Sequence, residues 1–165
     1  MKTMSKLDTE ESEPPSIDIV IDHQLGTYHD YLPSTTEVTQ WIQKTVDDSL
    51  PQAAVAVVYV DPKTIQQYNL TYRQQAKPTN ILSFPAELPE AVDEPLLGDL
   101  IVCPDIVNQE EKTQQIANWA HWAHIIIHGT LHLLGYDHLT DEDALKMETE
   151  EIRLLKQFGV ANPYE

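Results

Sequence analysis

The chain has 165 residues and sets 27 Asp+Glu against ten Lys+Arg, a formal net charge of −17 with a pI near 4.5. That length fits one domain, and 41% hydrophobic residues can fill a core, which excludes wholesale disorder. The acidity excludes a broad basic face for nucleic acid, and no apolar run approaches the roughly 18 residues of a membrane span.

Residues 1–15 mix charge, Ser and a Pro pair and read as a disordered acidic tail. Being polar and acidic, they are neither a secretory signal nor a basic transit peptide. Ser16–Asp22 alternates Ile17, Ile19 and Ile21 with Asp18 and Asp22, which predicts a strand. Thr35–Leu50 carries Val38, Trp41, Ile42 and Val46 at helical spacing behind Ser34 and Thr35 as caps. Ala53–Val60 is apolar and β-branched, a buried strand. Asp61-Pro62 opens a short helix to Asn69, and Thr71–Asn80 reads as a polar loop. Ile81–Phe84 is a short strand stopped by Pro85, Ala86–Leu96 a mobile acidic loop, and Gly98–Cys103 an apolar strand. Helical patterns follow over Asp105–Glu111, Gln114–Leu134 and Thr140–Phe158, the last ended by Gly159. Interleaved strands and helices predict an α+β (α/β-like) single domain over residues 16–165, a small mixed four-stranded sheet packed with several helices. The single cysteine, Cys103, allows no internal disulfide and fits a reducing cytoplasm.

Five of the seven histidines fall between 121 and 138. His128 and His132 are an i, i+4 pair on one face of a helix and can reach one metal ion at about 2.0–2.1 Å. Gly135 can take a positive φ and end that helix, so the chain turns back and His138 arrives as a third ligand. Three histidines without an obvious fourth ligand suit one catalytic zinc at the end of a central helix, its open position left for water or substrate. The string H-x-x-x-H-x-x-G-x-x-H shares its spacing with metzincin proteases, whose general-base Glu follows the first His. Gly129 stands there instead, so the peptidase base is missing; either a close approach by substrate or tight packing of the helix explains a glycine at that point.

Other residues read two ways. His121 and His124 share the stripe of 128 and 132, as groups lining the pocket or as buried histidines bonded to backbone. Asp137 either accepts the N–H of a ligand histidine or is a turn residue after Gly135, and Tyr136 either lines the pocket or packs. Asp99 reads as a structural turn group, Cys103 as a small core hydrophobe, and Trp119 and Trp122 as core. Asp141, Glu142, Asp143, Glu148, Glu150 and Glu151 read as a solvated helix face with charges at its N-terminus. Arg73 is one of only two arginines, in a polar loop where it is either an ordinary salt-bridging residue or a phosphate clamp.

The string His128–His138, HGTLHLLGYDH, resembles the signature of the YbeY family of endoribonucleases. The block from Asn69 to Arg73, the run Thr79–Pro85 (TNILSFP) and Leu97–Val102 (LGDLIV) resemble that family's further blocks, with Ile81 and Leu100 as substitutions; the likeness spans about residues 50–160. The resemblance implies a cytoplasmic, zinc-dependent, single-strand-specific endoribonuclease. Its expected work is maturation of the 3′ end of small-subunit (16S) rRNA and ribosome quality control, with RNA and ribosomal proteins as partners and no DNA or membrane. It assigns His128, His132 and His138 as zinc ligands and Arg73 as the catalytic arginine. Two alternatives stand beside it: a non-catalytic ribosome-assembly factor with structural zinc, and a metzincin-like metallohydrolase on another substrate. On the leading reading, positive character is concentrated at Arg73, Lys77 and the zinc ion, and the acidic surface docks on basic ribosomal proteins.

Overall fold

The alternating isoleucines form β1 (Ser16–His23), and the apolar run after residue 51 forms β2 (Gln52–Tyr59). The computed structural model describes residues 16–47, 52–87 and 96–165. The tail 1–15 and most of the acidic loop read over 86–96 lie outside the described residues. Between the two strands runs α1 (Thr35–Val46), opened by Ser34, whose Oγ accepts from Glu37 N while Glu37 Oε1 accepts from Ser34 N. This reciprocal cap satisfies two donors that a helix start otherwise leaves unpaired. The buried positions of α1 recur at Val38, Trp41, Ile42, Thr45 and Val46, one helical face.

The next helix, α2 (Pro62–Arg73), starts at the N-cap Asp61 and runs four residues beyond its expected end at Asn69. Polar Thr71 and Tyr72 continue it, and it stops only where Gln74 enters the left-handed region at φ 54°. Arg73 therefore sits on the last helical turn and not in a loop. β3 (Ile81–Pro85) and β4 (Leu96–Val102) follow. The sheet order is β1-β2-β4-β3, with β1, β2 and β4 parallel and β3 antiparallel at one edge: the mixed four-stranded sheet of an α+β domain. Asp99 is no turn group. It lies within β4 opposite Phe84 with its side chain exposed, because the strand begins earlier than the apolar run suggests.

The helical patterns over Asp105–Glu111 and Gln114–Leu134 are α3 (Pro104–Gln114) and α4 (Asn118–Leu133), and the break between them falls later than expected, where Gln115 turns left-handed at φ 58°. Apolar spacing carries across such a break, so periodicity alone does not mark it. α4 is buried around most of its circumference, as a central helix must be. It packs with α1 and α5 (Asp141–Gln157) on the sheet face carrying Val55, Val57, Leu100 and Val102. The opposite face buries Val60, Ile65, Leu82, Ile101 and Cys103 against Tyr68 of α2. Trp122 is fully buried and donates to Asn108 Oδ1 at 2.8 Å, whereas Trp119, expected in the core, is 40% exposed on the first turn of α4. No helix among the described residues is long and apolar enough to cross a membrane.

Candidate functional site

The last two turns of α4 present His128 and His132 on one face, their Nε2 atoms 3.2 Å apart. The helix ends as its glycine requires: Gly135 has φ +103°, its N–H donates to His132 O, and Tyr136 N–H donates to Leu131 O. The reversed chain brings the exposed His138 ring to 6.0 and 5.2 Å, centroid to centroid, from His128 and His132. One potential ligand atom from each of the three lies within 4.8 Å of the others.

The outer nitrogens explain why the inner ones face each other. His132 Nδ1 lies 3.0 Å from Tyr136 O, which can only accept, so that nitrogen carries the proton. His128 Nδ1 lies 2.6 Å from Glu151 Oε2 and donates to the carboxylate. In the neutral rings both Nε2 atoms are then lone pairs pointed at each other, an arrangement a cation relieves. Two nitrogens on one tetrahedral zinc stand about 3.3 Å apart, close to the spacing found. Burial, with the neighbouring His128 imidazole adding to it, pushes the His132 pKa down and keeps the ring neutral as a ligand must be.

Glu151 corrects an expectation. Read as part of a solvated acidic face, it has no exposed surface at all. It also receives His124 Nε2 at 3.2 Å and Tyr164 Oη at 2.6 Å. Burial alone would push its carboxyl up, but the donors His124, His128 and Tyr164 outweigh that and hold it at about 2. His124, His128 and Glu151 form a second group of clustered ligand atoms. The 2.6 Å contact within it is a charge-assisted hydrogen bond, too short for two ligands of one ion. The sequence did carry a signal for Glu151: it falls on the apolar stripe Met147, Glu151, Leu154, Leu155 of α5, a carboxylate where a hydrophobe belongs. Tyr164 left no such trace.

The histidines open onto a cleft of about 950 Å³, whose wall also includes Arg73, Asn80, Ser83, Tyr136, Asp137 and Tyr164. Arg73 pairs with no carboxylate among the described residues. Its Nη2 donates to Ser83 O at 2.9 Å, its Nη1 to Tyr72 O at 3.3 Å, and its guanidinium carbon lies 5.0 Å from the Phe84 ring centre. Two of five N–H donors are thus spent on holding it at the rim. Lys77, expected to share this positive pocket, is exposed and is not among the residues of the cleft wall.

Of the residues read two ways, His124 and Tyr136 line the cleft, and Tyr136 acts through its backbone carbonyl. Asp137 does not receive a ligand histidine. Its Oδ1 accepts from Leu139 N at 3.2 Å, the turn role, while the outer nitrogens of His132 and His128 are taken by Tyr136 O and Glu151. His121 is buried away from the cleft wall and lies 3.0 Å from Glu110 Oε1, a side-chain carboxylate and not backbone. Gly129 is explained by packing. A Cβ there would stand 2.6 Å from Ile81 Cδ1, 3.1 Å from Leu100 Cδ2 and 3.2 Å from Ser83 Oγ, so the position after the first histidine faces the sheet. Ser83 Oγ meanwhile donates to Gly129 O at 2.9 Å, tying β3 to α4 beside the histidines.

The family Endoribonuclease YbeY matches residues 26–159, most of the chain and the whole histidine string. The chain belongs to that family. Membership in the YbeY family makes it an endoribonuclease by class, a hydrolase acting on RNA. The solution structure of TM1509 from Thermotoga maritima is similar, with 25% sequence identity and a TM-score of 0.57 over 86% of this chain and 87% of that one. The two chains share the α+β fold over most of their lengths.

Proposed function

We propose that this YbeY-family protein is a zinc-dependent, single-strand-specific endoribonuclease that matures the 3′ end of small-subunit rRNA and serves ribosome quality control. His128, His132 and His138 hold one zinc ion, and Arg73 binds a phosphate of the RNA strand. The observation that carries this reading is the set of three imidazoles, two with their outer nitrogens already committed, opening onto the same cleft as an arginine that pairs with no carboxylate among the described residues. When bound, zinc supplies Lewis acidity and positive charge at the phosphodiester.

The chain's own groups do the rest. Glu151 and Tyr136 O hold the His128 and His132 rings in orientation. Ser83 O and the Phe84 face hold the Arg73 guanidinium, so its remaining donors meet a phosphate with little loss of rotamer freedom. Wedged against the sheet, position 129 has no place for the base that a peptidase would need. The acidic exterior suits delivery by basic ribosomal proteins in the cytoplasm.

The test is cleavage of precursor small-subunit rRNA, free and within ribosomal particles, by the zinc-loaded protein. Arg73→Ala is expected to cut about 10²–10³-fold more slowly with zinc content unchanged, the usual cost of losing one donor to a developing anionic centre. His128→Ala is expected to lose both zinc and cleavage. Parental cleavage by both variants would overturn the proposal.

A further inference from the structure

Residues 160–165 follow α5 and lie outside the family match at 26–159, yet they return to the metal cleft. Val160 N donates to Leu155 O, and Tyr164 N donates to Asn162 Oδ1 at 2.8 Å, so the segment has a defined course. The Tyr164 ring meets His124 edge-on at 5.7 Å, and its hydroxyl lies 3.5 Å from His124 Nε2. The same hydroxyl donates to Glu151 Oε1 at 2.6 Å.

Glu151 divides its acceptors. Oε2 takes His128 and His124, whereas Oε1 takes Tyr164 alone among the described contacts. A fully buried carboxylate tolerates a bare oxygen poorly. Without Tyr164, no described residue fixes Oε1, and the carboxylate loses the hold that keeps Oε2 aimed at His128 Nδ1. The ligand ring would then lose the partner that sets its tautomer and direction.

We propose that Tyr164 is a positioning residue of the metal centre, holding Glu151 so that Glu151 holds His128. This rests on the zinc reading above. Tyr164→Phe removes only the oxygen and leaves the half-exposed ring in place, so folding is expected to survive.

The experiment measures zinc affinity of the full chain by competition with a chromophoric chelator, alongside the melting temperature of the metal-free chain. Tyr164→Phe is expected to weaken zinc about 10–100-fold, the range for groups that orient a ligand, while the metal-free chain still unfolds in one cooperative transition at a somewhat lower temperature for the lost hydrogen bond. Because the effect passes through Glu151, adding Tyr164→Phe to Glu151→Gln is expected to cost nothing further. Unchanged affinity in Tyr164→Phe, or losses that simply add in the double variant, would overturn the proposal. A wild-type chain that takes up no zinc would instead sink the metal reading itself, and the proposal with it.

Discussion

At Glu151 a single carboxylate links three donors from two parts of the chain: His124 and His128 from α4, and Tyr164 from the segment after α5. Its ionisation is maintained by those donors against the cost of burial, and this has a consequence in acid. The folded-state value, about 2, lies below the ordinary 4.5, so its stabilising contribution is complete above about 4.5 and is lost as pH falls toward 2. Glu151→Gln removes the charge. The variant is expected to show a flatter dependence of stability on pH across that window in metal-free urea unfolding, and zinc binding about 10–100-fold weaker at neutral pH. A variant with parental affinity and a parental acid profile would show that the carboxylate does neither job. Gly129, one residue from His128, teaches the complementary lesson: a missing side chain there is required by the packing against the sheet.

The site depends on how β3 meets β4 and α4. β3 is an edge strand of five residues, yet it carries the carbonyl that anchors Arg73 and the hydroxyl that binds Gly129 O. Its far end is placed by Gly98, which has φ +150° and stands opposite Pro85. A Cβ at Gly98 would lie 2.4 Å from Phe84 O and 2.9 Å from Pro85 Cα, both backbone atoms that cannot step aside singly. Gly98→Ala is therefore expected to cost about 3 kcal/mol or more, read as a lower urea midpoint, since backbone strain and overpacking coincide. It is also expected to lower RNA cleavage more than zinc affinity, because β3 carries the carbonyl that anchors Arg73 while His128 and His132 ride on α4. Parental stability would show that the edge strand yields freely at this point.

Taken whole, a molecule of charge −17 would, on the proposed reading, meet a polyanion through a cleft in which Arg73 is the one permanently charged cation among the described wall residues. Long-range attraction cannot bring free RNA to it. Binding to a single strand releases about 0.7 counterion per neutralised phosphate, so one or two contacts imply a slope near −1 in log affinity against log salt. Fluorescence anisotropy with a short single-stranded RNA between about 50 and 200 mM salt is expected to show that shallow slope. A slope steeper than about −4 would reveal a basic track that this charge distribution does not have.

The histidine string, the turn glycine after it, the order of strands and helices and the missing peptidase base were all legible in the residues alone. Each is local: spacing on a helix, a backbone conformation, or a pattern of burial within a dozen residues. The same locality misplaced Trp119, started α4 four residues early and ended α2 short of Arg73, because a helix boundary answers to packing and capping that periodicity does not record. The reading of Glu151 as solvent-facing failed for a stronger reason. Whether a carboxylate on an amphipathic helix faces water or a buried histidine depends on which element lies across from it. Sequence therefore determined the candidate ligands and the class of chemistry. Tertiary structure decided which groups hold those ligands, because a hydrogen bond between α4, α5 and residue 164 exists only once the chain has folded.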